Sequence, residues 1–514
     1  MRFSACRSLR RVAKKFPPQV LGASNDAIVT SQDREESGGA IPKAQALGPR
    51  FRYLWATFVV ASLGDGFGYG AVPLLAFFVD PRPLAVSGAA AADTFPWLVL
   101  ALPAGAIADR YERGRVMAVT NMGRALVLVI LAGLIASKHL DYVLLVLLVF
   151  VNGGARAIYY SASQATVPEL VAPQVFPHAN GVLSGTEAAT EHLGGPIFGT
   201  LAFAAAKALP FFADAAAVGL SGLSLLGFRT ERLQRGPAHH SILDGARQLL
   251  KDRSLRLLVS LLAALAGLQG LVMGVLVIIA TVDWGVSKSL YGVFLAAGAA
   301  GNVPGALLAD RVANRIGNVP TLVASALVSG LAYLVMASAK GWLVAGVAFC
   351  VVSFAVYAGS VMANSLRQRL SPRDLMGRVG SAWRGIVWGA FPIGALIGGA
   401  LADGWGVRLP LYIAGIAQCL VALTLARPLS RSLAASERNE AATSKRAGTV
   451  AEAEQALVGS ANGNQPFSAP ASPGQAVNAR LERNQSPPSA GRRLHSRGGH
   501  GPLYWGRSSR NLRR

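Results

Sequence analysis

Charged residues are scarce in this chain of 514 residues, because they make up 15% of it and only 26 are acidic. In a soluble globular domain about a quarter of the residues are charged. Cysteine is also scarce, and the three cysteines lie far apart without a CxxC pair. These absences argue against a soluble domain, a disulfide framework and a zinc site. The chain also lacks a Walker-type phosphate loop, so we expect no coupling to ATP. No cofactor and no metal are expected either.

Apolar residues are abundant instead, since 52% of the chain is hydrophobic and the mean hydropathy is +0.41. A helix of about 20 apolar residues crosses a hydrocarbon core about 30 Å thick and satisfies its own backbone there. The predicted fold class is therefore an all-α membrane protein with twelve transmembrane helices in two pseudo-symmetric six-helix bundles. The apolar runs cover residues 54–79, 86–108, 116–137, 141–163, 178–205, 209–228, 256–282, 289–309, 320–338, 342–366, 379–403 and 409–426.

A polar segment between the sixth and seventh runs divides the chain. Within it, SILDGARQLLKDR has the period of an amphipathic linker helix with one apolar face, made of Ile242, Ala246, Leu249 and Leu250. Five regions are expected: a disordered basic extension at 1–50, the N-terminal bundle at 51–228, a cytoplasmic linker at 229–255, the C-terminal bundle at 256–427 and a disordered basic tail at 428–514.

The net charge of +23 is concentrated at the ends, because residues 1–52 and 427–514 hold 24 of the 49 basic residues. Basic polar tails are solvated at the inner face of an anionic membrane, so no nucleic-acid partner is expected, with RNA binding as the alternative. The Arg-rich start resembles a transit peptide but is interpreted as a cytoplasmic extension. Each loop is numbered by the apolar run that it follows. The even-numbered loops hold 16 Lys and Arg residues, and the odd-numbered loops hold six. This bias predicts a multi-pass protein of the bacterial inner (plasma) membrane with both termini in the cytoplasm.

Two predicted cytoplasmic loops repeat the same pattern. GAIADR ends the second helix and ALLADR ends the eighth, as expected of a protein built from repeats. An Asp at such a helix end accepts charge-assisted hydrogen bonds from neighbouring Arg residues, and these bonds can form in one conformer and break in another. The alternative is a charge cluster that only fixes topology. The predicted cytoplasmic gate consists of Gly105, Asp109, Arg110, Arg113, Asp310, Arg311 and Arg384, and Arg156 is interpreted as a further gate or headgroup residue.

The loop GAIADRYERGRVM resembles the signature of the major facilitator superfamily between its second and third helices. Its one departure is Glu112, where the general pattern has Gly. SLGDG in helix one, TVPELV at 166–171, HAN at 178–180 and QRLSPRDLMGRV at 368–379 are similar to the branch of siderophore (enterobactin) exporters and related efflux permeases. The resemblance covers about residues 51–427. It implies a secondary transporter that moves substrate by alternating access.

Helix five contains Gly195, Pro196 and Gly199 in a GPxxG pattern that resembles a motif of exporters in the superfamily. Proline removes one backbone hydrogen bond from a helix, and the glycines permit bending and close approach. We therefore expect a bend in helix five at these residues.

Ionisable residues near mid-membrane are the strongest functional candidates. An unpaired charge at the bilayer centre costs about 2.5–3.5 kcal/mol, so each such residue should face a cavity or a partner. Asp65, Glu187 and Glu191 are the candidate proton-coupling residues, and the two glutamates share one helix face. The alternative is a structural ion pair, for example between Asp65 and Arg124. The candidates for cavity or ion-pair contacts are Arg124, Gln269 and Asn302.

These patterns predict a transporter, not an enzyme, that exports a small amphipathic or hydrophobic molecule in exchange for protons. The expected partners are the lipid bilayer, the small-molecule substrate and protons, and the chain is expected to be a monomer. Two alternatives remain open at this point. One is an importer or lipid transporter of the same fold, and the other is a membrane sensor or partner subunit that does not transport.

Overall fold

The computed structural model describes residues 47–172, 175–228, 244–372 and 375–433, and within this part every regular element is a helix. The all-α fold class is therefore confirmed. In chain order the elements are α1 (Pro49–Val79), α2 (Pro83–Arg110), α3 (Arg113–Ala136), α4 (Tyr142–Leu170), α5 (Phe176–Glu187), π1 (Ala188–Gly194), α6 (Gly195–Ala205), α7 (Leu209–Leu225), α8 (Asp244–Lys251), α9 (Arg253–Met273), α10 (Leu276–Ile278), π2 (Ile279–Asp283), α11 (Tyr291–Ala299), α12 (Asn302–Ile316), α13 (Asn318–Ser338), α14 (Trp342–Leu370), α15 (Met376–Trp405) and α16 (Leu409–Leu433).

Ten helical spans among the described residues are long and apolar enough to cross a membrane. Helix α7 is apolar but shorter, and the predicted fifth helix is divided into α5, π1 and α6. Ten spans together with these two segments are compatible with the predicted count of twelve. The extensions predicted at 1–50 and 428–514 lie almost entirely outside the described residues.

The fifth helix is irregular just before its proline. Pro196 has no N–H, so it cannot bond to the carbonyl four residues earlier. Before it, π1 widens the helix, and the N–H of Gly195 bonds to the carbonyl of Thr190, five residues back. The irregularity that the GPxxG pattern predicts therefore begins one to two turns before the proline. This placement puts Glu191 on the widened segment.

Contacts between the two halves occur where α2 packs against α15 and α6 against α11. A side chain at Gly292 of α11 would overlap the carbonyl oxygen of Pro196, and one at Gly399 of α15 would overlap the hydroxyl of Ser87. The hydroxyl of Thr200 also lies 3.3 Å from the carbonyl oxygen of Ser289. These contacts join the halves at the end of the molecule that carries residues 80–82 and 284–290, which we call the closed end.

The linker contains the expected helix, and α8 packs against α15 of the C-terminal half. Asp252 accepts a hydrogen bond from the N–H of Leu255 at 2.8 Å and so caps the start of α9. Leu249 is fully buried, whereas Leu250, which was predicted on the same apolar face, is 58% exposed. The two residues lie about 100° apart around the helix, at opposite edges of the predicted apolar face, so one edge can be buried while the other is exposed. Ile242 lies outside the described residues.

Candidate functional site

A cavity of about 570 Å³ lies between the two halves of the helical bundle. Residues from both halves line it, and the charged ones come mainly from the N-terminal half. Asp65, Glu187 and Glu191, the three candidate proton-coupling residues, all contribute to its wall, as do Gln269 and Asn302. The structure therefore brings the predicted mid-membrane residues together around one space.

Arg156 of α4 stands among three carboxylates that project from three other helical segments. Its Nη2 donates to Oε1 of Glu191 in π1. Its Nε lies 3.7 Å from Oδ1 of Asp65 in α1, and its Nη1 lies 3.9 Å from Oδ2 of Asp93 in α2. Arg156 therefore lies in the cavity wall and not among the lipid headgroups, while its interpretation as a gate residue stays a prediction. One arginine faces three acids in the cavity wall. Burial of these charges inside the bundle is favourable because the positive arginine and the negative acids lower each other's desolvation cost.

Arg124 of α3 is completely buried behind this cluster and donates to Oδ1 of Asp65. Its other nitrogens lie 3.2 Å from Oδ1 of Asn152 and 3.4 Å from Oδ1 of Asn121. Asn121 in turn donates to the hydroxyl of Ser221 in α7 at 3.2 Å. The pairing of Asp65 with Arg124, weighed above as a structural alternative, is present. Asp65 also approaches Arg156, so a structural role and a role in the cavity are compatible.

The two helix-five glutamates differ in their surroundings. Glu191 is 5% exposed and is paired with Arg156. Glu187 lies one turn earlier, lines the cavity and has no ion pair among the described residues. Thr190, between them, donates to the carbonyl of Thr186 at 2.8 Å and lies 2.9 Å from the hydroxyl of Ser62 in α1. These contacts hold helix five against α1 beside the charged cluster.

The C-terminal half presents mostly neutral polar groups to the cavity. Asn302 is 7% exposed, and its Oδ1 accepts no hydrogen bond from the described residues. Gln418 donates to the hydroxyl of Ser329, while its Oε1 and the hydroxyl of Tyr333 have no partner in the described part of the chain. Buried polar atoms are usually paired, so these groups are available to a bound molecule.

The predicted gate residues are spread along the helices. Arg113 is buried, bonds to Glu169 of α4 at 2.5 Å and also donates to the carbonyl of Ala165. Arg110, Asp310 and Arg311 are exposed. Gly105 is half-buried, and the side chain of Asp109 lies outside the described residues. The partner Glu169 was not predicted, although TVPELV, which contains it, was recognised as a motif. Arg384 differs from the other gate residues, because it lines the cavity.

Sequence reasoning overlooked three cavity residues: Asp93, Arg156 as a cluster residue, and Asp214. Asp93 lies in α2, and Asp214 lies in α7 and is 2% exposed. Each is an isolated acid inside an apolar run, so the rule that selected Asp65 would also have selected them. Among the described residues no three His, Cys, Asp or Glu side chains are grouped as metal ligands.

Comparisons with known proteins agree with this architecture. The sequence profile of the Major Facilitator Superfamily matches residues 54–390 and, in an overlapping match, 259–471. The uncharacterized MFS-type transporter YfiS of Bacillus subtilis (strain 168) is 28% identical over 403 residues, covering 75% of this chain and 94% of YfiS. A bacterial homologue of the iron transporter ferroportin, crystallised in the inward-facing state, matches 74% of this chain and 98% of its own, with TM-score 0.57 and 18% identity. The nucleoside transporter NupG matches 74% and 99%, with TM-score 0.60 and 11% identity. At these identities the two structures show a shared fold.

Proposed function

Since the chain belongs to the major facilitator superfamily and is a membrane transporter rather than an enzyme, we propose that it exports a small amphipathic molecule in exchange for protons. The observation that carries this proposal is the buried charged cluster around Arg156, which faces the cavity between the two halves. A transporter of this kind exposes such a cavity alternately to the two sides of the membrane.

Proton coupling is supported by the excess of acids in the cavity wall. Among the described residues five carboxyl groups line it against two arginines, and Arg124 adds one more positive charge behind the wall. Negative charge in a low-dielectric site is costly unless protons or a cation neutralise it. The lining acids are Asp65, Asp93, Glu187, Glu191 and Asp214.

Glu191 is the first choice for the coupling residue. It binds Arg156 and sits on π1, where a change in the bend of helix five would alter its surroundings. Protonation of Glu191 would weaken its ion pair with Arg156. Arg156 could then interact more strongly with Asp65 and Asp93. A carboxyl that binds a proton with different affinity in two conformers links proton entry to substrate exit.

The substrate class follows from the remainder of the wall. Aromatic side chains such as Tyr69, Trp97, Tyr160 and Trp388 line the cavity and suit the apolar part of a molecule. Gln269 and Asn302 are proposed to contact its polar part. SLGDG, TVPELV, HAN, QRLSPRDLMGRV and the loop after helix two favour the branch of siderophore exporters and efflux permeases. The GPxxG pattern favours export over import.

The membrane orientation is also part of the proposal. The Lys and Arg bias puts both termini, the linker at 229–255 and the predicted gate around Asp109 in the cytoplasm. The closed end then faces outward and the cavity serves molecules that arrive from inside. We propose the bacterial inner membrane as the location and a monomer as the working unit.

A transport assay in proteoliposomes tests this proposal. Wild-type protein, Glu191→Gln and the control Asp80→Asn, which alters an acid outside the spans, are given an imposed pH gradient and one of two probes, ethidium or a catecholate siderophore. We expect the wild type and Asp80→Asn to accumulate a probe against its gradient, and Glu191→Gln to allow only downhill movement. Accumulation that is the same for wild type and Glu191→Gln, or the same without the pH gradient, would contradict the assigned coupling.

The same vesicles distinguish the sibling functions. Movement of a fluorescent phospholipid between leaflets, without accumulation of either probe, would indicate a lipid transporter. No protein-dependent movement of any of the three would indicate a sensor or partner subunit. Accumulation of a probe only on the side of the membrane that corresponds to the cytoplasm would indicate an importer.

A further inference from the structure

Asp214 of α7 is a buried acid that none of the sequence motifs includes. Its residue surface is 2% exposed, and it forms part of the cavity wall. The carboxyl packs against α1 at two glycines that flank Asp65. A side chain at Gly64 would begin 2.6 Å from Oδ1, and one at Gly68 would begin 3.3 Å from Oδ2. The two glycines therefore leave the space that this carboxyl occupies.

The carboxyl of Asp214 lacks the arginine partners that Asp65 and Glu191 have. Its Oδ1 is buried and accepts no hydrogen bond, and no ion pair involves it within the described part of the chain. Asp65 and Glu191 each bind an arginine directly. The charged groups that act on Asp214 are Asp65 from α1, Arg124 from α3, Arg156 from α4 and Glu191 from π1, and α6 contributes no titratable residue.

Both nearby arginines are already occupied by other acids. Arg124 bonds to Asp65, Asn152 and Asn121, and Arg156 bonds to Glu191 and approaches Asp65. An ionised carboxylate at position 214 would be an additional buried negative charge without a counter-charge, whereas a neutral carboxyl requires none. The neutral form therefore fits the space that α1, α3 and α7 leave around it.

We propose that Asp214 is a proton-binding site of this transporter, neutral in the described conformation and ionised when the cavity reorganises. Asp65 and Asp214 would then share the positive charge of Arg124. When Asp214 releases its proton, its negative charge attracts Arg124 away from Asp65. Asp65 can then interact more strongly with Arg156, which is bound to Glu191. The assignment of this proton to the transport cycle rests on the proposed function, while the protonation state of Asp214 does not.

Infrared spectroscopy of the full chain in liposomes tests the protonation state without a substrate. Difference spectra between neutral and alkaline pH report the carbonyl stretch of a neutral carboxylic acid. We expect such a band in the wild type and its loss in Asp214→Asn, whose amide keeps the size of the neutral acid. Asp80→Asn is the matched control, because the hydrogen bond from Arg82 lowers the pKa of Asp80 and keeps it ionised. A band that is equal in the wild type and in Asp214→Asn would overturn the proposal.

A second measurement uses only the wild-type protein, so it does not depend on whether Asp214→Asn folds. Dicyclohexylcarbodiimide is an apolar reagent that modifies neutral carboxyl groups, and mass spectrometry locates the modified residue. We expect labelling of Asp214 that falls as the pH rises. Labelling of other buried acids with Asp214 unmodified would overturn the proposal.

Transport measurements then distinguish failure of the proton site at Asp214 from failure of the proposed function. We expect Asp214→Asn to lower accumulation of the transported probe under a pH gradient by about tenfold or more while downhill movement continues. Proton-driven accumulation by a wild type whose infrared band does not depend on Asp214 would reject the proton site and keep the proposed function. An Asp214-dependent band in a wild type without proton-driven transport would support the site and reject the function.

Discussion

Arg156 connects the buried acids of three helical segments, so its single positive charge matters to all of them. It binds Glu191 and lies within 4 Å of oxygens of Asp65 and Asp93. Such a residue serves two purposes in a membrane protein. It lowers the cost of burying carboxylates. It also couples the three acids, because protonation of one changes how strongly the arginine interacts with the other two.

Removal of this charge should destabilise the protein in a way that a second substitution repairs. Arg156→Gln leaves carboxylates unpaired, which in buried sites costs about 3–5 kcal/mol. We expect a lower yield of monodisperse protein and a lower melting temperature in detergent. The double variant Arg156→Gln with Glu191→Gln should recover a large part of both, because one unpaired charge is gone.

Arg315→Gln is the control for this pair, since Arg315 is exposed and should tolerate the change. An Arg156→Gln protein as stable as the wild type would show that the cluster does not hold the fold together. A double variant less stable than Arg156→Gln alone would show that Glu191 has another essential partner.

At the scale of single residues, sequence could predict which types of residue matter but not all of their partners. Asp65, Glu187, Glu191 and Arg124 stand out because charge inside an apolar run is rare. The three-acid arrangement around Arg156 depends on how four segments pack, and the period of one helix does not contain that information. Asp93 and Asp214 carried the same signal as Asp65, so their omission was avoidable.

Helix five carries Glu191, the acid that binds Arg156 directly. Its widened turn sets the position of Glu191, and it approaches α1 closely at two glycines. A side chain at Gly66 would lie 2.5 Å from the carbonyl oxygen of Thr190 and 2.8 Å from the Cα of Gly195. Backbones at this separation leave no room for a methyl group, so small residues determine how α1 and helix five pack.

A methyl group at Gly195 should therefore disturb the element. Gly195→Ala places its Cβ against the backbones of Gly66 and Thr190, and overpacking of this kind costs about 1–3 kcal/mol. Gly185→Ala is the matched control, because nothing lies within 4 Å of a Cβ at that position of the same helix. We expect a clear fall in the detergent melting temperature for Gly195→Ala and none for Gly185→Ala. Equal melting temperatures for the two would contradict the close approach.

Sequence could predict the existence of most elements but not their finer geometry. Most of the apolar runs correspond to helices that extend them by a few residues at one or both ends, because polar ends of membrane helices carry no hydropathy signal. The bend of helix five was expected from Pro196, but π1 was not, since no residue pattern in the sequence specifies the five-residue bond from Gly195 to Thr190. The predicted apolar face of α8 is buried at Leu249 but exposed at Leu250.

The whole molecule divides its cavity between two chemistries. The N-terminal half supplies five acids and Arg156, whereas the C-terminal half supplies Arg384 and neutral polar groups such as Asn302. Repeated loop motifs indicated two related bundles, but the unequal distribution of charge in the cavity depends on which side chains face it, and a loop motif does not specify that. This division favours proton binding in one half and recognition of substrate polar groups in the other.

The most direct test of proton-coupled export is to let the substrate drive the protons. Wild-type protein is placed in liposomes with a pH-sensitive dye inside, and a gradient of the transported probe is imposed with no initial pH difference. Because coupling is reciprocal, movement of the probe should drive protons in the opposite direction. The account predicts a protein-dependent change of internal pH that Glu191→Gln abolishes. Probe movement through the wild type without any change of internal pH would contradict it.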